Sequence, residues 1–207
     1  MHLERYPTER RQIEELRGPL ERREILPSMR GLQFGGAAVE EKHMRLYNCC
    51  ASYCDRVRFF SEALWLLLAG CGVGFSVQRH HVAKLPEVKT PTADPATLHL
   101  VGDSIEGWAE ATHALFSAYL EGGPRPLFDY SAVRPLGSPL RHGGHATGPQ
   151  PLRGAREVIE GILEGAAGRM LTTPEAFDCT MYLADCTRNA GTTRSANIAP
   201  LSADDDD

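Results

Sequence analysis

No part of the chain carries the electrostatic footprint of a nucleic-acid binder. The formal net charge is −5, and without the four aspartates at 204–207 it is −1, so the body is nearly neutral. No basic segment leads into a short apolar run near the start, so no signal peptide is visible. The six cysteines are therefore expected to be mostly reduced thiols in the cytoplasm. The longest apolar stretch, 59–77, approaches membrane length. However, Glu62 lies inside it, Arg58 and Arg79 flank it, and Gly70, Gly72 and Gly74 break it. It is expected to be a buried helix and strand, with no membrane contact. The glycine cluster is not followed by Lys-Ser/Thr and precedes a strand, which separates it from a P-loop and from a dinucleotide fingerprint. Cys49, Cys50 and Cys54 are spaced CC-x3-C without a second knuckle, so no metal site is expected. No internal repeat is visible.

What is there fits an ordinary folded domain. The chain has 207 residues, 42% hydrophobic and 24% charged, enough for a sizeable core. Its organising stretch is 47–77, YNCCASYCDRVRFFSEALWLLLAGCGVGFSV, with four of the six cysteines. This reads as a strand over 46–51, a helix capped by Asp55, a Gly70/Gly72 stop and a strand over 73–77. Phe59, Phe60, Ala63, Leu64 and Leu67 mark the helix's core face.

Upstream, 8–17 is predicted to be a short amphipathic helix capped by Thr8, with Gly18-Pro19 interrupting it. Downstream, 85–97 contains three prolines and is expected to be a surface loop, with a short strand over 98–101. Residues 103–123 form the clearest helix pattern, with Asp103 as N-cap, Glu106 completing a capping box and Gly122-Gly123 as the stop. The stretch 128–152 is Gly/Pro-rich and long for a loop in a compact domain, which itself points to function. A helix over 152–164 follows. Thr172, Pro174 and Glu175 open another, running to about 187, and 197–201 is the last strand. Strands alternating with helices give an α/β class with at least partly parallel pairing.

Local chemistry leaves several readings open. Cys49, on a strand beside a Gly-rich turn, is either an inert core thiol or a redox thiol. The turn Gly70–Gly74 is either a helix stop or a place where a ligand approaches backbone amides. His142/His145 and His80/His81 are weak metal signals, and solvated histidines account for them better. Arg188, Arg194, Thr192, Thr193 and Ser195 suit a phosphate or a polar turn.

Seven stretches, taken together and in order, resemble one family. They are LPSMRGLQFGG at 26–36, YNCC at 47–50, EALWLLLAGCGVGFSV at 62–77 and DSIEGWAEA at 103–111. FDYSAVRPLGSPLRHGGHATGPQPL at 128–152, GAAGRMLT at 165–172 and NAGTTRSANIAPLSADD at 189–205 complete the set. The chain resembles adenosylcobalamin-dependent (class II) ribonucleotide reductases of the monomeric ribonucleoside-triphosphate reductase type, specifically their N-terminal half.

The resemblance implies a fold and a chemistry. The fold is the first half of a ten-stranded α/β barrel over 26–207, preceded by an N-terminal helical segment over 1–25. The reaction replaces the ribose 2′-OH of a ribonucleoside triphosphate by hydrogen, with adenosylcobalamin starting thiyl-radical chemistry. Two barrel cysteines supply the electrons by forming a disulfide. Cys49 matches the first of these. Asn48 is implied near the ribose, and Gly72 and Gly74 in the backbone that approaches its hydroxyls. Asn189, Gly191, Thr192, Thr193, Arg194 and Ser195 match a loop coupling a deoxynucleotide effector to the active site. Here TTRSA stands where V-R-R-S-A is common, so Arg194 alone represents the arginine pair. Cys50, Cys54, Cys71, Cys179 and Cys186 receive no role.

The family's N-P-C-G-E motif, with its radical cysteine, occurs nowhere in these 207 residues, nor do the partner redox cysteine and the C-terminal pair served by thioredoxin. The expectation is therefore a half-barrel, unstable and inactive alone, that needs a C-terminal half carrying the radical cysteine and a thioredoxin-type reductant. Two rival readings remain: a non-catalytic nucleotide-binding module derived from the barrel, and a fragment of a class I large subunit.

Overall fold

The computed structural model describes residues 4, 6–140, 145–188 and 196–203, with the backbone alone at 93–96 and 188. The chain divides into two compact units, Met1–Asn48 and Cys49–Asp207.

In the first unit, a 3-10 turn at Pro7–Glu9 leads into helix α1, Arg10–Glu21. Thr8 does not cap it; Glu9 holds the cap position without a side-chain bond. The helix also runs through Gly18-Pro19 instead of breaking there. Pro19 sits in its last turn, where only the proline's own missing N–H is lost, and Arg22 N still bonds Gly18 O at 3.0 Å. Three exposed Arg-to-Glu pairs at i, i+4 line the helix: Arg10–Glu14, Arg11–Glu15 and Arg17–Glu21. With arginine N-terminal to glutamate, this is the weaker orientation. Two short helices follow, α2 at Met29–Phe34 and α3 at Ala37–Glu41, then a 3-10 turn at His43–Leu46.

The second unit begins with strand β1, Cys49–Tyr53, three residues later than the pattern predicted because Leu46 closes the 3-10 turn. Helix α4, Phe59–Leu68, carries it over to strand β2, Gly72–Ser76. Arg58, not Asp55, holds the N-cap position of α4; the Asp55 carboxylate instead pairs with Arg56 at 2.8 Å. Gly70, at φ 84°, ends the helix. Its N–H bonds Leu67 O at 2.9 Å and Cys71 N–H bonds Leu66 O at 3.0 Å, a Schellman closure in which glycine takes the left-handed position. Gly72 is already in the strand.

β1 and β2 pair in parallel, and β2 pairs in parallel with β5, Asn197–Ile198, giving the order β1-β2-β5. After a single-turn helix α5, Arg79–Val82, the chain forms β3, Thr92–Leu100. Much of the expected loop is therefore strand. The ladder is irregular between Thr92 and Thr97, around Pro95, which has no N–H to donate. β3 pairs in parallel with β4, Pro124–Asp129, across helix α6, Ile105–Leu120. Ser104 caps α6 by accepting from Gly107 N at 3.0 Å. Asp103, the expected cap, instead accepts from Arg134 Nε at 2.7 Å. Helices α7, Gln150–Gly165, and α8, Thr173–Arg188, complete the unit. The predicted capping box of α8 is present in both directions: Thr172 N to Glu175 Oε2 at 2.9 Å and Glu175 N to Thr172 Oγ1 at 3.3 Å.

The core gathers the buried faces of α4, α6, α7 and α8 against β2. Phe60 and Phe116 stack at 3.8 Å, and Phe59, Phe75, Leu64, Leu115, Ile159 and Leu163 are fully buried. The architecture is α/β with parallel sheets of three and two strands among the described residues. No helix among them is long and apolar enough to cross a membrane.

Candidate functional site

Side chains of paired residues in a parallel ladder project to the same face of the sheet. The β1–β2 register pairs Cys49 with Gly72 and Ala51 with Gly74. Cys50 and Ser52 alternate with them, and Val73 and Phe75 are in the core. Cys49 thus shares the open face with two glycines, and no side chain stands beside its thiol on β2. Space at Gly74 is limited: a Cβ there meets Ile198 Cγ2 at 3.3 Å. Cys49 and Gly72 are the first residues of their strands, so they share the N-terminal edge of the sheet. β5 enters at the same edge, where Val73 N donates to Ala196 O at 2.8 Å.

The cysteines divide sharply by environment. Cys49 is exposed and Cys50 half-buried, whereas Cys54, Cys71, Cys179 and Cys186 are buried. Burial raises the pKa of the Cys54 thiol, with the nearby Cys179 adding to the effect. Burial also raises Cys179, with Asp178 adding, and pushes Cys186 up to about 12. These three are thiols, not thiolates, at neutral pH and do not act as nucleophiles.

Asn48, in the first unit, is exposed, and its Oδ1 accepts from Arg30 Nε at 3.2 Å. The effector-loop positions Asn189, Gly191, Thr192, Thr193, Arg194 and Ser195, together with His142, lie outside the described residues. His145 forms an isolated antiparallel bridge with Pro139. His81 Nδ1 lies 2.8 Å from the buried Ser76 Oγ, and its ring centre is 4.0 Å from that of His80, the planes tilted by 45°. Among the described residues, no three His, Cys, Asp or Glu side chains gather as metal ligands.

The long 128–152 motif is largely built for position. Asp129 Oδ1 accepts from Ser131 N at 2.8 Å, closing an Asx turn after β4. The Arg134–Asp103 pair ties this loop to the start of α6. Gly148, at φ 69°, lies so close to Leu136 that a Cβ comes within 2.9 Å of its backbone N. Gly107 in the GW pair packs on Gly102, where a Cβ comes within 2.5 Å of a carbonyl oxygen.

Three features were not picked out from the sequence. Arg30 is one. Asn197 is another: its buried Oδ1 has no hydrogen-bond partner among the described residues, on the strand next to Val73. The third is an open groove of about 480 Å³ bordered by Arg56, Arg58, Glu62, Trp65, Glu106 and Glu110. Neither Cys49, Gly72 nor Gly74 borders that groove.

No family model matches the chain. Individual relatives do. An adenosylcobalamin-dependent ribonucleoside-triphosphate reductase of Euglena gracilis is 30% identical over 189 residues, covering 87% of this chain and 26% of that protein. A probable enzyme of the same name from Dictyostelium discoideum is 29% identical over 103 residues, covering 49% of this chain and 14% of its own. One from Lacticaseibacillus paracasei is 28% identical, covering 68% and 24%. The chain thus spans at most about a quarter of the length of these relatives. Its fold resembles a crystal structure of a B12-dependent (class II) ribonucleotide reductase, with TM-score 0.67 and 23% identity over 78% of this chain and 30% of that one. In agreement with the motifs at 26–36, 47–77 and 103–205, the chain is similar over most of its length to part of the adenosylcobalamin-dependent ribonucleoside-triphosphate reductases, and it shares the fold of part of a class II ribonucleotide reductase.

Proposed function

We propose that this chain supplies one reducing thiol and the ribose-contacting backbone of a ribonucleotide reductase that converts ribonucleoside triphosphates to 2′-deoxyribonucleotides in the cytoplasm. The observation that carries the reading is the exposed Cys49 facing side-chain-free Gly72 at the edge where β1, β2 and β5 begin.

Cys49 is the thiol with access to a ligand, while Cys54, Cys179 and Cys186 are closed off by burial. The reduction consumes two electrons. In balance, a C2′–OH and two thiols become a C2′–H, water and a disulfide. Cys49 gives one sulfur of that disulfide; the second thiol belongs to a C-terminal half, and a thioredoxin-type dithiol reduces the pair again. Backbone amides at Gly72 and Gly74 approach the ribose hydroxyls because no Cβ intervenes. Asn48, next to Cys49 in the chain, contacts the same sugar. The loop 189–195 relays a deoxynucleotide effector to this edge through Ala196. Adenosylcobalamin, when bound, supplies the initiating radical; no residue of this chain is assigned to hold it.

In this reading 26–207 forms the first half of a ten-stranded barrel and 1–25 a helical lead. The sheet's open face then becomes barrel interior, which accounts for the exposure of Tyr53 and Ile198. Mixing the chain with the finger-loop-bearing C-terminal portion of a relative and assaying nucleoside-triphosphate reduction with adenosylcobalamin tests this. Turnover by this chain alone sinks the half-site reading.

A further inference from the structure

The motif at 26–36 builds a platform under Asn48. Ser28 caps α2 by accepting from Gly31 N at 2.9 Å, which fixes the first turn and with it Arg30. Gly35 closes the helix where any Cβ meets Gly31 O at 2.5 Å, and Gly36 turns the chain at φ 104°. The Phe34 ring, one turn from Arg30, carries two guanidiniums: Arg30 Cζ lies 5.6 Å from its centre and Arg45 Cζ 5.7 Å. A guanidinium resting on an aromatic ring loses much of its freedom, so the direction of its N–H groups is set before any ligand arrives.

Arg30 Nε donates to Asn48 Oδ1 at 3.2 Å. A guanidinium has donors only, so the Asn48 atom facing it must be the carbonyl oxygen. The carboxamide is thereby held with its NH₂ group turned away from Arg30. We infer that Arg30 is a positioning residue for Asn48, and that Asn48 meets the sugar as a hydrogen-bond donor to an oxygen acceptor, not as an acceptor from a hydroxyl. This rests on the reading of Asn48 as a ribose contact.

Asn48→Asp separates the two roles. It keeps an acceptor toward Arg30 and strengthens that contact with charge, but removes the donor. The test titrates with GTP the labelled full chain mixed with the C-terminal portion of a relative and follows side-chain amide resonances by NMR, with the Asn48 pair identified by its loss in Asn48→Asp. The expected result is a GTP-dependent shift of the Asn48 NH₂ pair. Affinity falls up to about tenfold in both Asn48→Asp and Arg30→Gln, the loss of one neutral hydrogen bond. Arg30→Lys, which keeps a donor, recovers part of it. An unchanged backbone spectrum outside 28–48 shows that each variant folds. GTP binding with full affinity in Asn48→Asp or Arg30→Gln, or without a shift of the Asn48 pair, overturns the inference and leaves the functional reading standing. No GTP binding by the mixture with the unaltered chain overturns both.

Discussion

Cys49 and Gly72 face each other as the first paired residues of the parallel β1–β2 ladder. The thiol is exposed, and its cross-strand neighbour has no side chain. If the ribose occupies that space, filling it should block the reaction without disturbing the strand. Gly72→Val is expected to cut complemented nucleotide reduction by at least about tenfold, since a β-branched residue suits a strand but occupies the approach. The thermal midpoint of the mixture should change little. Full activity in this variant would remove Gly72 from the site.

Thiol reactivity should follow the burial pattern. In the native chain, iodoacetamide is expected to alkylate Cys49 first and Cys50 more slowly. Cys54, Cys179 and Cys186 should react only after denaturation, because burial keeps them protonated. Peptide mapping by mass spectrometry reads the order. Labelling of Cys54 or Cys179 as fast as Cys49 contradicts the assignment.

The Glu175 carboxylate gives acid sensitivity a definite window. The Arg169 guanidinium, at 2.6 Å, together with the Thr172 N–H, holds its pKa down to about 2 against an ordinary 4.5. A carboxylate with a depressed folded pKa contributes stability that is complete above its unfolded pKa and is lost as pH falls through the folded one. The contribution is therefore present at neutral pH and lost between about pH 4.5 and 2. Glu175→Gln should lower stability at pH 7 by on the order of 1–2 kcal/mol, allowing for the half-exposed arginine, and should flatten the acid limb in that interval. Urea midpoints of the chain mixed with the C-terminal portion, taken across pH, measure it; an unchanged acid limb contradicts it.

Gly107 tests the structural role of the DSIEGW motif. A methyl group there runs into backbone atoms of Gly102 at 2.5–2.7 Å, with no flexible side chain to yield. Gly107→Ala should destabilise the chain by about 2–3 kcal/mol, despite alanine's better helix propensity. A higher thermal midpoint would show that the 102–107 junction relaxes.

Helices α6, α7 and α8 were legible because their apolar spacing and caps are local. The Thr172–Glu175 box is three residues long and forms as its spacing dictates. The Thr8 and Asp55 caps failed on local geometry, whereas other errors came where a distant partner intervened. Asp103 was taken from its cap by Arg134, 31 residues away, and Ser104 replaced it. β3 was concealed by Pro95, which a parallel ladder tolerates only through an irregularity. The site was half legible: no local pattern reveals that Cys49 lies across from Gly72, because register is set by tertiary pairing. The family resemblance named both residues without the geometry that joins them. Arg30 was missed because its contact to Asn48 spans 18 residues and two turns.

The central claim is that Cys49 is one of two reducing thiols in a shared active site. The direct measurement is deoxynucleotide formation by this chain mixed with a finger-loop-bearing C-terminal portion, with adenosylcobalamin and a dithiol, comparing Cys49 with Cys49→Ser. The account predicts multiple turnovers from the mixture, none from either part alone, and loss of turnover with Cys49→Ser. Undiminished turnover in the Cys49→Ser mixture would contradict it.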